Sequence, residues 1–257
     1  MSSAIWKEAF GRFLPRQCLL CEAPCRAEPL CPPCRAFLPG AARSRCRTCA
    51  RPWQVTDCCA TCRASAPAFD ATVAAADYVA PLDKAITALK FSGQIGLASG
   101  LGGLLADAWA GALHGNPQGS SQGALQDDLP ARPDCLVPIP LSAARLADRG
   151  FNQAHLIAAA MLKRLPRQPP PDLRPRIVLR PSILARHRDT LAQSLLPWRE
   201  RQANLDHGFV ASQDLRGLCI GVVDDVMTTG ATLQAAALAL KQAGAQRVVN
   251  LVVARTA

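Results

Sequence analysis

Eight cysteines of this chain form four pairs that all have the spacing C-x2-C. The pairs are Cys18/Cys21, Cys31/Cys34, Cys46/Cys49 and Cys59/Cys62. A disulfide framework gives no reason to repeat one spacing four times. A C-x2-C turn, in contrast, directs two thiolates at one tetrahedral zinc ion, and two such turns complete a four-cysteine site. The pattern therefore predicts two structural zinc ions in a double zinc ribbon.

The spacing does not decide which pairs share a metal ion. Sequential pairing would join Cys18/Cys21 to Cys31/Cys34 and Cys46/Cys49 to Cys59/Cys62, and a nested arrangement fits the spacing equally well. Cys25 and Cys58 are alternatives to a neighbouring ligand. Redox-active or merely buried thiols are the alternative to zinc for the whole set. Cys135 and Cys219 lie in apolar, strand-like runs, which predicts that they are core residues.

Basic residues are the second unusual feature of the chain, which has a formal net charge of +10. Residues 1–69 contain ten Lys/Arg and four acids, and residues 145–201 contain twelve Lys/Arg and four acids. The rest of the chain is slightly acidic, so the positive charge is concentrated in two stretches. Such a distribution suits a polyanion, either a phosphorylated metabolite or a nucleic acid. Arginine used only for solubility is the alternative.

The chain has no apolar run of the kind that crosses a bilayer, which takes roughly 20 uncharged residues. Its best candidate, residues 91–106, is short and contains several Gly and Ser. Lys7 and Glu8 interrupt the region where a signal peptide would be apolar. With 49% hydrophobic and 19% charged residues, the composition is that of a globular protein. We therefore expect a soluble, cytoplasmic protein without membrane insertion.

Apolar strands alternate with helical patterns downstream of the cysteines. Strands are predicted at 72–79, 135–140, 218–223 and 248–253, and helices at 81–91, 95–113, 152–165 and 231–243. Loops are predicted at 115–133, 168–176 and 186–206. This alternation predicts an α/β fold with a largely parallel sheet flanked by helices. The composition changes near Pro67, which suggests an N-terminal helix and double zinc ribbon over residues 1–66 and an α/β domain over 67–257.

The segment with the clearest chemistry is V-V-D-D-V-M-T-T-G-A-T, residues 222–232. An apolar strand delivers Asp224 and Asp225 to its C-terminal end, where open parallel sheets bind their ligands. The helix that follows begins with unpaired N–H groups and a positive dipole end, which attract phosphate. A phosphate at the helix and a vicinal diol at the carboxylates together describe ribose 5-phosphate. An acidic, capped helix start without a ligand is the structural alternative.

The short loop between strand and helix completes this predicted phosphate site. The hydroxyls of Thr228, Thr229 and Thr232 are donors for phosphate oxygens, and Gly230 lets the backbone approach the phosphate closely. The other glycine-rich run, residues 100–103, lacks the spacing of a dinucleotide-binding loop and is predicted to serve helix or loop packing.

At these residues the sequence resembles the type I phosphoribosyltransferases, whose motif is an apolar strand, Asp-Asp or Glu-Asp, and Thr-Thr-Gly. A wider resemblance, to the ComF family of competence and DNA-utilisation proteins, covers nearly the whole chain. The segments that carry it are the four C-x2-C pairs, LKF at 89–91, VPIPL at 137–141, RGFNQ at 149–153, T-x2-Q and R-x2-N within 190–209, and the Asp-Asp loop.

The resemblance implies a phosphoribosyltransferase fold that carries a zinc module and binds phosphoribosyl pyrophosphate (PRPP) together with Mg²⁺. Asp224 and Asp225 would hold the ribose hydroxyls. The 5-phosphate would be held by Met227, Thr228, Thr229, Gly230, Ala231 and Thr232. Pyrophosphate or DNA phosphate would meet Lys90, Arg145 and Arg149, because an arginine fork can clamp phosphate oxygens.

Three functions are compatible with this sequence. The first is a DNA-handling protein whose PRPP site and basic surfaces act on incoming single-stranded DNA or couple its uptake to nucleotide metabolism. The second is an active phosphoribosyltransferase for a nucleobase or amine, with Asp224 and Asp225 as its catalytic residues. The third is a scaffold whose zinc ribbon docks a DNA-uptake helicase or import machinery while the phosphate site is vestigial. The intact Asp-Asp and Thr-Thr-Gly residues and the basic stretches favour the first.

The residues that would read a nucleobase are not evident in the sequence. His187 and His207 flank the basic loop and are candidates for a general base. Phe151, beside Gly150, is either a stacking partner for a base or a local core anchor. The acceptor of an enzymatic reaction is therefore not predicted.

Overall fold

The computed structural model describes residues 16–18, 20–21, 23–25, 30–38, 44–54, 58–114, 132–165, 176–186 and 208–257. Its helices are α1 (Pro32–Phe37), α2 (Ala60–Ala64), α3 (Leu82–Phe91), α4 (Leu97–His114), α5 (Ala143–Arg149), α6 (Gln153–Arg164) and α7 (Ala231–Gln242). Its strands are β1 (Arg16–Gln17), β2 (Pro24–Cys25), β3 (Ala71–Asp77), β4 (Cys135–Pro138), β5 (Val178–Leu179), β6 (Leu184–Arg186), β7 (Phe209–Ala211), β8 (Cys219–Met227) and β9 (Arg247–Arg255). The four strands and four helices predicted downstream of the cysteines are present, with ends shifted by a few residues.

A parallel sheet of five strands, in the order β3-β9-β8-β4-β5, forms the centre of the described structure. The two longest strands, β8 and β9, lie side by side inside the sheet and are buried along most of their length. Burial on both faces explains why they read as continuous apolar runs in the sequence rather than as alternating ones. The predicted α/β class is therefore confirmed.

Helices cover both faces of this sheet. Helix α4 packs on α6 and β3, and α6 packs on β8 and β4, which forms one layer. Helix α7 and the antiparallel pair β6–β7 pack together on the other face. A Cβ atom at Gly102 of α4 would lie 2.6 Å from Ala160 Cβ and 2.7 Å from the Ile157 carbonyl oxygen of α6. The 100–103 run therefore serves helix packing, as predicted.

Several short elements were not predicted from the sequence. Helix α5 has no buried residue, so it lacks an apolar face that periodicity could reveal. It begins after Ser142, whose Oγ accepts a hydrogen bond from the Arg145 N–H, and it ends at Gly150 with φ +75°. Strands β5, β6 and β7 are two or three residues long, which is too short for a visible alternation.

Part of the sequence-based interpretation lies outside the described residues. This applies to the predicted N-terminal helix, to 115–131, 168–175 and 187–206 of the predicted loops, and to His187 and His207. The division at residues 66 and 67 stays a prediction. Cys135 and Cys219 are buried, as predicted, and burial raises the pKa of each thiol to about 11. In the described part of the chain, no helix is both long and apolar enough to cross a membrane.

Candidate functional site

The two adjacent aspartates lie near the C-terminal end of β8, at the carboxyl edge of the sheet. The strand continues through them to Met227, farther than the sequence predicted, because β9 pairs with it as far as Arg255. Lys90, near the end of α3, places its Nζ 2.9 Å from Oδ1 of the buried Asp225. Oδ2 of Asp225 is buried and has no hydrogen-bond partner among the described residues. One oxygen of this carboxylate is thus ion-paired, and the other keeps its capacity to accept a hydrogen bond.

Asp224 has an unusual protonation equilibrium. Burial and the adjacent charge of Asp225 raise the pKa of Asp224 to about 7, although a hydrogen bond from the Asp225 N–H and the charge of Lys90 act in the opposite direction. That N–H lies 2.8 Å from Asp224 Oδ1. Carboxyl groups with strongly raised pKa values concentrate at ligand and catalytic sites. This carboxyl therefore gains or loses its proton near neutral pH.

The loop after β8 exposes hydroxyl groups at the start of α7. Thr228, Thr229 and Thr232 are exposed, as is Ala231, the first residue of the helix. The Ala231 N–H points to Thr229 Oγ1 at 3.3 Å, so the hydroxyl lies beside the helix N-terminus. The exposed hydroxyls and the N-terminal N–H groups of a 12-residue helix together form a surface suited to an anion.

Gly230 and Met227 determine the shape of this loop. Gly230 has φ +88°, a left-handed conformation that L side chains rarely adopt, and a Cβ there would lie 2.7 Å from Met227 Cε. The glycine is therefore needed for the turn itself as well as for access. The side chain of Met227 is 2% exposed and belongs to the core. Any contact of Met227 with a ligand would have to come from its main chain.

The three predicted phosphate-binding cations have different surroundings. Lys90 pairs with Asp225, as described above. The guanidinium of Arg149 lies 5.3 Å from the ring centroid of Phe91, and its Nη1 donates to Gln153 Oε1. Arg145 is exposed on α5, the helix that follows β4 at the carboxyl edge of the sheet. Because Phe91 follows Lys90 directly, the structure brings Lys90 and Arg149 to the same end of α3.

The aromatic residue available to a ligand is Phe91 rather than Phe151. Phe151 is half-buried and packs against the core, so it is the local anchor that the sequence left as an alternative. Phe91 is 75% exposed and carries the Arg149 guanidinium over its ring. Sequence reasoning noted Phe91 only as the end of the LKF motif, because exposure cannot be seen in a helical pattern that ends at an apolar residue.

The eight paired cysteines form two separate clusters in sequential order. One contains Cys18, Cys21, Cys31 and Cys34, and the other contains Cys46, Cys49, Cys59 and Cys62, with the Sγ atoms of each cluster within 4.8 Å of one another. Cys21 and Cys31 have their sulfurs 3.7 Å apart, as do Cys49 and Cys59. That distance is near the ~3.8 Å edge of a tetrahedron with zinc–sulfur bonds of about 2.3 Å. It is far longer than a disulfide bond of about 2.05 Å, so the geometry fits two zinc ions.

Main-chain N–H groups point at the cluster sulfurs. The Cys31 N–H lies 3.4 Å from Cys18 Sγ, and the Cys59 N–H lies 3.3 Å from Cys46 Sγ. Burial acts against ionisation, but backbone N–H donors, chiefly that of Cys31, lower the pKa of Cys18 to about 6, whereas burial and the neighbouring thiols raise the pKa of Cys34 and of Cys62. Since zinc binds the thiolate form, such donors favour metal binding.

Neither additional cysteine belongs to a cluster. Cys25 lies in β2 and is buried in the core, and Cys58 Sγ lies 3.0 Å from Thr48 Oγ1. The sequence alone had left both as alternative ligands. The structure therefore resolves both questions that the spacing left open, namely the pairing and the place of these two thiols.

Arg255, at the end of β9, is a residue of this region that sequence reasoning did not single out. It is 2% exposed, and its guanidinium donates to the carbonyl of Cys49, a member of the second cluster, and to the Met227 and Thr228 carbonyls, at the start of the loop between β8 and α7. The available signal was an arginine at the end of an apolar strand, where a buried charge needs several acceptors.

Comparisons with known proteins point to one group of relatives, although no model of a known protein family matches the chain. DNA utilization protein YhgH of Escherichia coli is 32% identical over 182 residues, which cover 71% of this chain and 70% of that protein. Competence protein F of Haemophilus influenzae is 27% identical over 185 residues, covering 71% of both. Competence protein ComFC of Bacillus subtilis is 34% identical over 112 residues, covering 42% of this chain and 39% of that protein. By its sequence similarity, the chain belongs to the ComF family of competence and DNA-utilisation proteins.

Proposed function

We propose that this protein binds PRPP with Mg²⁺ at the carboxyl edge of its sheet and acts in the handling of single-stranded DNA during uptake and utilisation. The observation that carries the proposal is the juxtaposition of the Asp224–Asp225 pair with the exposed hydroxyl loop at the start of α7. A diol-binding pair followed within a few residues by a phosphate-binding loop suits a ribose 5-phosphate.

The acidic pair would bind the ribose hydroxyls. Asp225 offers Oδ2, a buried acceptor without a partner among the described residues, while Lys90 compensates its charge at Oδ1. Asp224 accepts at both oxygens when ionised and gives up one acceptor when protonated, and its pKa of about 7 makes this capacity pH-dependent. Affinity for PRPP should therefore rise between pH 6 and pH 8. A proton bound to Asp224 occupies an oxygen that would otherwise accept from a ribose hydroxyl or contact the cation, and this proton is lost over that range.

Phosphate groups would be bound by the loop and by the neighbouring cations. Thr228, Thr229 and Thr232 are exposed, and their hydroxyls together with the N-terminal N–H groups of α7 suit the 5-phosphate. Lys90, in the last turn of α3, and Arg149, at the end of α5 beside Phe91, suit the pyrophosphate or a DNA phosphate. When bound, Mg²⁺ would neutralise pyrophosphate oxygens, which is the usual role of this hard cation beside one or two carboxylates.

A role in DNA handling is supported by the family and by the surface beside the site. The relatives are named for DNA utilisation and for competence. Exposed Phe91 carries Arg149 over its ring, and Arg145 is exposed on the neighbouring α5. Aromatic rings that stack bases and basic groups that contact phosphates are the two components of single-strand binding sites.

The first experiment is a calorimetric titration of Mg²⁺ and PRPP into the zinc-loaded protein. We expect binding by the unaltered chain, and loss of at least about tenfold in affinity in the double variant Asp224→Ala, Asp225→Ala, because both diol acceptors are removed. Asp214→Ala is the matched control, since Asp214 is an exposed aspartate paired only locally with Arg216. Absence of binding by the unaltered protein, or equal binding by the double variant, would refute the PRPP site.

The second experiment measures binding of a short single-stranded oligonucleotide at increasing salt concentration. We expect the affinity to decrease steeply with salt because phosphate contacts release counterions, and Arg149→Ala to lower both the affinity and the salt slope. Arg216→Ala is the matched control, because Arg216 is exposed but paired with Asp214. An affinity that does not change with salt would contradict the proposed basic surface.

A further inference from the structure

The loop of the second cysteine cluster is attached along the edge strand β3 by several hydrogen bonds. The Thr72 N–H of β3 donates to the Arg47 carbonyl at 2.9 Å. Arg45 donates from Nη1 to the Ala50 carbonyl at 2.9 Å and forms an ion pair with Asp77, at the end of β3, at 2.6 Å. The cluster loop therefore lies along β3, at the edge of the sheet next to β9.

Arg255 extends this connection to the phosphate loop. Its Nε donates to the Cys49 carbonyl at 3.0 Å, and its Nη1 donates to the Met227 carbonyl at 3.0 Å and to the Thr228 carbonyl. The Thr256 N–H also donates to the Met227 carbonyl, at 3.1 Å. One planar, buried guanidinium thus joins a ligand residue of the second cluster to the first two residues of the predicted 5-phosphate loop.

The first cluster has no comparable link within the described residues. The hydrogen bonds of Cys18, Cys31 and Cys34 stay within that cluster and its own turn, such as the one from the Cys18 N–H to the Ala23 carbonyl. The two clusters have the same ligands and spacing. They therefore form a natural internal comparison in which only the second cluster is connected to the loop.

We propose that metal binding at the second cluster orders the phosphate loop through Arg255, which is a positioning residue of the ligand site. A four-cysteine loop is held in shape by its metal, so loss of the metal releases the Cys49 carbonyl from its place. Arg255 then loses one of its fixed acceptors and no longer holds the Met227 and Thr228 carbonyls in one arrangement. The part of this inference that concerns ligand affinity rests on the proposed PRPP function, whereas the part that concerns loop order does not.

The test compares, in four proteins, hydrogen exchange at two amides that donate to carbonyls of the loop, Thr256 N–H to Met227 and Gln234 N–H to Gly230. The four proteins are the unaltered chain, Cys62→Ser in the second cluster, Cys21→Ser in the first cluster, and Arg255→Gln. We expect exchange to accelerate about tenfold or more in Cys62→Ser and in Arg255→Gln, because bonds from a charged donor are lost, and to stay unchanged in Cys21→Ser. Zinc analysis must show that Arg255→Gln retains both metal ions, so that its effect is separate from metal loss.

Two outcomes would overturn the inference. One is equal acceleration in both cysteine variants, which would mean general destabilisation. The other is unchanged exchange in Arg255→Gln with both zinc ions present, which would mean that Arg255 does not transmit order to the loop. The exchange experiment contains no PRPP. Failure of the unaltered protein to bind PRPP would therefore refute the proposed function, and the exchange rates alone would still decide whether Arg255 orders the loop.

A reciprocal measurement separates coupling from a purely structural role. In Cys21→Ser, the zinc that remains is at the second cluster, and its release to a colorimetric chelator can be followed alone. If the two sites are coupled, Mg²⁺ with PRPP must raise the equilibrium affinity of the second cluster for zinc by the same factor by which the metal strengthens PRPP binding, and the release of zinc is then expected to slow. Release from the first cluster, followed in Cys62→Ser, must stay unchanged. Slowing of both releases, or of neither when PRPP binds, would overturn the coupling.

Discussion

At the scale of single residues, Asp224 and Asp225 have different environments although they are neighbours in one strand. Asp225 is buried with Lys90 at 2.9 Å, whereas Asp224 is half-buried and lies in the negative field of Asp225. An ion pair thus compensates one carboxylate, and the other becomes sensitive to protons near neutral pH. A cationic ligand at this place would lower the pKa of Asp224 and so release a proton on binding.

The raised pKa of Asp224 predicts a pH dependence of stability. In the unfolded chain this aspartate is ionised above about pH 4, whereas the folded protein keeps the proton up to its pKa of about 7. The folded state therefore binds more protons in this window, and its free energy of unfolding decreases as the pH rises from 5 to 8. We expect Asp224→Asn to gain about 1–3 kcal/mol relative to the unaltered protein over that range.

Urea unfolding at pH 5 and pH 8 measures this difference. Asp214→Asn is the control, because the hydrogen bonds from Arg216 lower the pKa of Asp214, and its ionisation is complete across the whole range. Parallel pH profiles for Asp224→Asn and the unaltered protein would contradict the expectation.

At the scale of secondary-structure elements, the contact between α4 and α6 determines how the helical layer lies on the sheet. Gly102 allows the two backbones to approach so closely that a Cβ would lie 2.8 Å from the Met161 nitrogen. Helix α6 in turn packs on β8 and β4, the strands that lead to the candidate site. The spacing of these helices therefore supports the carboxyl edge of the sheet from one side.

Alanine at two neighbouring glycines of α4 separates packing from helix propensity. Gly102→Ala should destabilise the protein by about 1–3 kcal/mol, because the new methyl group collides with the backbone of α6. Gly103→Ala is the matched control, since a Cβ there meets nothing within 4 Å, and it should stabilise the helix by up to about 1 kcal/mol. Equal unfolding midpoints in urea for the two variants would show that close packing at Gly102 is unimportant.

The predictability of the elements depended on their length and burial. Strands β8 and β9 are nine residues each and strongly apolar, so their runs identified them from the sequence. The seven-residue helix α5 has no buried face, and it depends on its cap and on Gly150, so periodicity gave no indication of it. Local patterns therefore identified the buried elements. They missed the short elements, whose ends depend on capping residues and on contacts with neighbouring segments.

At the scale of the whole molecule, the cysteine clusters are packed into the same core as the sheet. Cys18, Cys25 and Cys31 belong to the core that includes α4 and one face of the sheet, and Cys46, Cys49 and Cys59 belong to the core on the other face. The clusters are thus continuous with both hydrophobic layers. Metal binding at each cluster should therefore influence the stability of the hydrophobic layer on which that cluster packs.

Elemental analysis of the purified protein should find about two zinc ions per chain. Cys21→Ser and Cys62→Ser, after dialysis against a weak chelator, should each retain about one, because each removes a ligand from only one four-cysteine site. Cys58→Ser is the control and should keep two, since Cys58 contacts Thr48 and lies outside both clusters. A zinc content near zero in the unaltered protein would contradict the metal sites.

The sequence by itself determined the features whose residues are close together in the chain. The C-x2-C turns, the apolar strands and the run from Asp224 to Thr232 are local patterns, so each could be recognised as a candidate from the sequence. Only the tertiary structure decided which cysteine pairs cluster together, that Lys90 pairs with Asp225, that Phe91 is exposed, and that Arg255 joins the second cluster to the loop between β8 and α7. The physical reason is that each of these facts depends on contact or burial among residues far apart in the chain, and the packing of helices and strands establishes such contacts.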